Sequence, residues 1–297
     1  MLRTNRLRLG YNYIVGICRP YRRVVQRQCP LTFQEIVMGV AILQSKVFII
    51  FDYSRTVSVY DANFTEMFLD EICIPDMQWP QDIVACCKTE KVYIADMQNH
   101  DVGCVWRLST EGDFDAYLSS SREPGLWPRS LAAARGYLLV VSHPNVLLMY
   151  GVGGRRIRRM ELPRDMEVQH AVVTDHNTFV VGLSKAENTL VLLREVDFQG
   201  HTVRICSVEF KLPVHLSVDP WGHVIVADRL DDRVVLLDKR LDLKRVLLAK
   251  NLGGEGPRRL LLLPELGQLY ICELRGISLW MVGMRKSRAV ESVTSSW

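Results

Sequence analysis

Acidic residues are missing from the first 34 positions, serine is missing from the first 44, and no C-x-x-C pair occurs anywhere in the 297 residues. Long hydrophobic runs are missing too. A stretch such as Ile36–Leu43 has eight residues, less than half of the roughly 20 that a bilayer-spanning helix needs, so a soluble chain with no membrane contact is expected. Arg3, Arg6 and Arg8 interrupt any apolar core of a secretory signal. The eight cysteines include the adjacent Cys86 and Cys87, and several sit inside apolar runs. There free thiols behave as small hydrophobes, which favours a reduced, cytoplasmic protein. An Arg-rich, acid-free start also fits a mitochondrial presequence, but such segments are normally rich in serine.

The charge that is present is unevenly placed. Seven arginines (Arg3, Arg6, Arg8, Arg19, Arg22, Arg23 and Arg27) lie in the first 34 residues, leaving 30 basic against 33 acidic side chains beyond them. A basic arm of this kind suits nucleic acid, anionic lipid or an organelle address.

Self-similarity dominates the rest of the chain. Pro213 to Asp238 reads PVHLSVDPWGHVIVADRLDDRVVLLD: an alternating strand, an Asp-Pro-Trp-Gly turn, a second strand ending in Asp, a polar loop and a third apolar strand. Related stretches run Glu35–Asp52, Trp79–Asp96, Trp127–Ser142, Val168–Gly182 and Gly256–Glu273. The residues that close each second strand are Asp52, Asp96, Ser142, Gly182, Asp228 and Glu273, at intervals of 40 to 46. That period, with three or four short strands per copy, predicts an all-β, six-bladed β-propeller. After Glu273 only Ile277–Val282 remains as a strand, so the last blade lacks its outermost strand. Arg22–Gln28 is predicted to supply it, its arginines being edge residues that oppose sheet-to-sheet association. The expected organisation is a flexible basic leader over 1–20, one propeller over 21–283 with residues 21–28 as the closing strand, and a polar tail over 284–297.

The Pro213–Asp238 copy resembles an NHL repeat, with its Pro, alternating strand, Asp-x-x-Gly turn and Val-Ala-Asp strand end; Trp79–Asp96 resembles it as closely. In proteins of the TRIM-NHL type such a propeller is often the C-terminal recognition module of a ubiquitin ligase, and the resemblance implies a module of that kind. The RING, B-box and coiled coil of those proteins have no counterpart, because the chain has no Cys/His zinc ladder and no heptads. NHL-like lyases hold zinc with three histidines, each just after the Pro at the start of an innermost strand. The matching positions are Gln34, Gln81, Arg129, His170, Val214 and Arg258, of which only His170 fits. His215 is one residue out of phase and should be turned away by the pleat. Lactonase-like propellers hold calcium through carboxylates. Asp82 and Glu35 are candidates, with Arg129, Arg258 and Arg259 placed to repel the ion.

The candidate binding face is therefore the side where innermost strands begin: Gln34, Gln81, Asp82, Arg129, His170, His215, Arg258 and Arg259. With the loops between second and third strands included, eight basic and eight acidic residues are expected there. Without a positive excess, a protein partner is favoured over RNA. The expectation is a monomeric, non-catalytic interaction module with no metal or cofactor. RNA binding through the same face is the alternative, and a metal-dependent hydrolase or lyase the third reading.

Overall fold

A computed structural model describes residues 24–282, apart from short segments at 63–67, 99–101, 135, 152, 175–177, 186–189, 212–213 and 250–255. The leader at 1–20, Arg22, Arg23, His100, Asp101, Glu187, Pro213 and the tail at 284–297 lie outside the described residues.

The described chain folds into six small antiparallel sheets, and the fold is a six-bladed β-propeller. Blade 1 begins with Val37–Leu43, blade 2 with Pro80–Cys86, blade 3 with Pro128–Ala134, blade 4 with Glu167–Val173, blade 5 with Val214–Val218 and blade 6 with Arg259–Leu263. These innermost strands neighbour one another around an axis, and blade 6 returns to blade 1. Blade 4 is irregular at its rim: Thr202–Ile205 and then Phe210–Lys211 both pair with Leu190–Val196. The only helix among the described residues is a short 3-10 turn, Pro264–Leu266. None is long and apolar enough to cross a membrane.

Ring closure follows the expected route with shifted bounds. The N-terminal strand is Val24–Thr32 and pairs antiparallel with Gly276–Val282, from Val24 opposite Val282 to Thr32 opposite Gly276. An irregularity between Arg27 and Leu31 lengthens it beyond the predicted Arg22–Gln28. Blade 6 is thus built from both ends of the chain, so its stability depends on closing a very long loop.

Alternating strands bury one set of side chains on each face, and each blade is covered on both sides by its neighbours. The core accordingly divides into wedges between blades. Phe48, Ile50, Ile83, Ile94 and Trp106 fill the wedge between blades 1 and 2. Val37, Ile49, Phe51, Tyr270 and Leu279 fill the one that joins blade 6 to blade 1. The six described cysteines that can be assessed are free thiols, and Cys86, Cys104, Cys206 and Cys272 are buried in these wedges. Burial pushes the Cys272 thiol up to about 12, as expected for a packing residue with no nucleophilic character.

The residues at the ends of second strands hold the incoming chain. Asp96 Oδ1 accepts the Trp79 N–H at 2.7 Å, Ser142 Oγ accepts the Trp127 N–H at 2.9 Å, and Asp228 Oδ1 accepts the Lys211 N–H at 3.0 Å. Gly182 does not close its strand, which continues to Ser184. A Cβ on Gly182 would lie 3.0 Å from Val214 Cγ2, so the small residue admits the neighbouring blade.

Candidate functional site

An innermost strand is the edge of its sheet, so its axis-facing N–H groups lack ladder partners and need other acceptors. Which side chains can supply them is decided by register. In blades 1 to 4 the pairing of the first two strands slips by one residue, between Val37 and Gly39, Pro80 and Asp82, Pro128 and Ser130, and Val168 and His170. In blades 5 and 6 the pairing is unbroken from Val214 and from Arg259. Each bulge moves its strand forward by one residue. The positions brought to a common level are therefore Gly39, Asp82, Ser130, His170, His215 and Arg259, one from each blade.

This ring corrects the expected phase. His215 is not turned away: blade 5 has no bulge, so the residue out of step in the sequence is in step in space. Its ring centroid lies 3.9 Å from that of His170. Arg259, not Arg258, occupies the ring position in blade 6, while Gln81 and Arg129 are the bulge residues of blades 2 and 3.

Three of the ring side chains bond from blade to blade by one repeated rule. Asp82 Oδ2 accepts the Leu131 N–H at 2.9 Å, His170 Nδ1 accepts the Leu216 N–H at 3.3 Å, and His215 Nδ1 accepts the Leu260 N–H at 3.2 Å. In every case the donor is the residue after the next blade's ring position. Blade 1 has Gly39 there, where a Cβ would come within 2.7 Å of Ile83 Cγ2. The Ile83 N–H turns instead to Asp82 Oδ1, at 3.0 Å. Arg259 reaches past blade 1, donating from Nη2 to the Gln81 carbonyl at 2.8 Å and from Nη1 to the Arg258 carbonyl at 3.1 Å. Its Nε lies 3.4 Å from Asp82 Oδ1.

The carboxylate and the two rings are buried: Asp82 is 2% exposed, His170 2% and His215 8%. Burial, and then the Arg259 charge, push the His170 pKa down to about 3; burial, His170 and Arg259 hold His215 well below its usual range. Both rings are neutral, and because Nδ1 accepts a backbone N–H, the proton sits on Nε2. Burial pushes the Asp82 carboxyl up, opposed by Arg259, by the Leu131 and Ile83 N–H donors and by the neighbouring Ser130 hydroxyl.

Asp82, His170 and His215 converge closely enough to suggest a metal centre, their ligand atoms lying within 4.8 Å of one another. The chemistry does not fit. A ligating histidine normally gives its other N–H to an acceptor, whereas both Nδ1 atoms here face backbone donors. Moving the proton to Nδ1 to free Nε2 would oppose two donors in a buried site. The sole carboxylate of the cluster already faces the Arg259 guanidinium. Calcium needs six to eight oxygens, and Glu35 lies exposed away from this cluster.

Outside the cluster, the strand-start face carries Gln34, exposed, and Gln81, Arg129 and Arg258, half-buried. Three ion pairs lie on it: Arg129 with Glu167 at 3.3 Å, Arg233 with Asp228 at 2.8 Å and Lys211 with Asp231 at 2.6 Å. A feature not anticipated from sequence is Tyr53, in the turn between the second and third strands of blade 1. It is 70% exposed with φ of 52° and stacks on Trp79 at 5.2 Å, with 6° between the rings. Trp79 is anchored beneath it by its Nε1–H bond to Asp52 Oδ1 at 2.9 Å. The corresponding turn of blade 5 presents Leu230, 57% exposed. The available signal was a lone aromatic or aliphatic residue inside an otherwise polar loop.

No protein-family model and no curated protein matches this sequence. Solved structures match its fold. The chain is similar to a gluconolactonase from Xanthomonas campestris at 12% identity and a TM-score of 0.65, covering 89% of this chain and 99% of that one. It is similar to virginiamycin B lyase from Staphylococcus aureus at 10% identity and a TM-score of 0.59, over 87% and 99% of the two chains. The WD40 propeller domain of Doa1 matches at 12% identity and a TM-score of 0.58, over 88% and 97%. Two enzymes and one WD40 domain at such identities establish the propeller architecture and leave its use to be argued from the site.

Proposed function

We propose that this propeller is a non-catalytic recognition module, of the kind its NHL-like repeats suggest, which binds a protein partner on the face where the innermost strands begin. One observation carries this reading: the acceptor atoms of the axial cluster are taken by backbone N–H groups. Both histidine Nδ1 atoms and Asp82 Oδ2 accept from the next blade, and Asp82 Oδ1 accepts from the adjacent Ile83. A reaction centre needs a set of groups aimed at a reacting atom; these acceptors are aimed at backbone. What the face offers a partner is Tyr53 braced on Trp79, together with Leu230. Exposed aromatic anchors on a rigid scaffold are typical of interface hot spots. The ion pairs beside them favour protein over RNA, which calls for unpaired cations along a phosphate track.

Proximity labelling in cells tests the reading. The double variant Tyr53→Ala, Leu230→Asp should fold normally and lose a defined subset of labelled proteins. An unchanged set would refute the assignment of this face. Salt-sensitive capture of single-stranded RNA by wild type would replace the protein partner with RNA.

A further inference from the structure

Below the ring, the axis opens into a channel of about 530 Å³. It runs toward the face opposite the one discussed above, ending near Pro220 and Pro264, and Ile42, Val84, Ala133, Val172, Leu216 and Val218 are among its lining residues. The innermost strand from Asp82 to Cys87 takes about five steps of 3.3 Å, which gives a channel on the order of 16 Å long. The blind end is polar, formed by Asp82, His170, His215 and Arg259.

Two buried atoms at that end have no hydrogen-bond partner: His170 Nε2 and Arg259 Nε. The Ser130 Oγ is buried beside them and makes no hydrogen bond of normal geometry, although it lies near enough to Asp82 to steady its charge. His170 Nε2 carries the proton, because Nδ1 accepts the Leu216 N–H. It is thus a neutral donor on a residue 2% exposed, 3.9 Å from Asp82 Oδ2 and too far to bond to it. A buried donor left without an acceptor is unfavourable, so an acceptor arriving through the channel gains what the fold has left unpaired.

The charge at the site selects the ligand. Arg259 and Asp82 balance one another, and both Arg259 terminal nitrogens are occupied by carbonyls. A ligand carboxylate would lie against Asp82, and a ligand cation against Arg259; either like-charge contact in a buried site is unfavourable. We propose that the channel binds an uncharged, mainly hydrocarbon molecule whose carbonyl or hydroxyl oxygen accepts the His170 Nε2–H. This site is separate from the partner-binding face and does not depend on that reading.

The probe is 2-octanone, titrated into the purified full chain and followed by saturation-transfer NMR and calorimetry, with octanoate as the charged control. Saturable one-to-one binding of 2-octanone is expected, with octanoate about tenfold weaker or worse, in line with the cost of one like-charge contact. Ala133→Phe, which narrows the channel from its wall, should abolish binding without lowering the melting temperature by more than a few degrees. His170→Gln should weaken it about tenfold, the worth of one neutral hydrogen bond. Should His170→Gln fail to fold, Ala133→Phe alone decides. Absence of saturable binding, octanoate binding as tightly as 2-octanone, or unchanged binding in Ala133→Phe would each overturn the proposal.

Discussion

The two ends of the axial region use polar and apolar residues in opposite ways. At the strand-start end, Asp82, His170 and His215 are titratable residues buried beside the half-buried Arg259. On the surface just outside, Tyr53 and Leu230 are apolar residues left in water. In the first place hydrogen bonding of strand edges outweighs the cost of burial, because an innermost strand has N–H groups with no other acceptor. In the second, Trp79 covers one face of the Tyr53 ring and leaves the other to solvent, while Leu230 stands exposed in its own turn. A titratable cluster on a propeller axis is thus compatible with a purely structural role, and the partners of each Nδ1 distinguish that role from a metal centre.

The largest effect should come from breaking the buried cluster. Asp82→Leu removes the acceptor of Leu131 and Ile83 and leaves the Arg259 charge without its counter-ion. Chemical denaturation should report a loss of about 3–5 kcal/mol, since removing one partner of a buried pair strands the other.

Acid acts on the same region. The pKa of His170 is about 3 in the folded protein against an ordinary 6.5. Between these values the unfolded chain binds the extra proton, so the histidine contribution is complete above about pH 6.5 and is lost as pH falls toward 3. That loss is on the order of 4 kcal/mol for this residue, and His215 acts in the same direction. Asp82 acts in the opposite sense, because burial pushes its carboxyl up. Melting temperatures across this window should fall with acid in wild type and fall less in His170→Gln. A flat wild-type profile would contradict neutral, buried rings.

A smaller effect is expected at the blade 1 position of the ring. Gly39→Ala places a Cβ 2.7 Å from Ile83 Cγ2, and the strain should cost about 1–3 kcal/mol in a denaturant titration. The smallest is expected outside the cluster, where Tyr53→Ala should change stability by under about 0.5 kcal/mol while altering what the protein captures. A large melting shift in that variant would mean that the Tyr53–Trp79 stack is structural.

Much of the fold was legible because a propeller writes its period into the chain. Recurring residues near the ends of the second strands, such as Asp96 and Asp228, give the period, and the missing strand after Ile277–Val282 pointed to the N-terminus. The axial site was less legible. His170 and Asp82 could be singled out, but their relation to His215 and Arg259 depends on bulges at Gln81, Arg129 and Gln169 that have no counterpart in blades 5 and 6. A bulge is a one-residue difference in backbone pairing, and no side chain in these strands announces it. The closing strand likewise runs past the expected Gln28 to Thr32, with an irregularity between Arg27 and Leu31.

The protonation sites of the two buried rings test the structural reading of the axis most directly. In nitrogen-detected NMR of labelled protein at pH 7, His170 and His215 should both be neutral, with the proton on Nε2 and Nδ1 accepting a hydrogen bond, and added zinc should leave both signals unmoved. Protons on Nδ1, or signals that shift stoichiometrically with zinc, would contradict the account and return the cluster to the catalytic class.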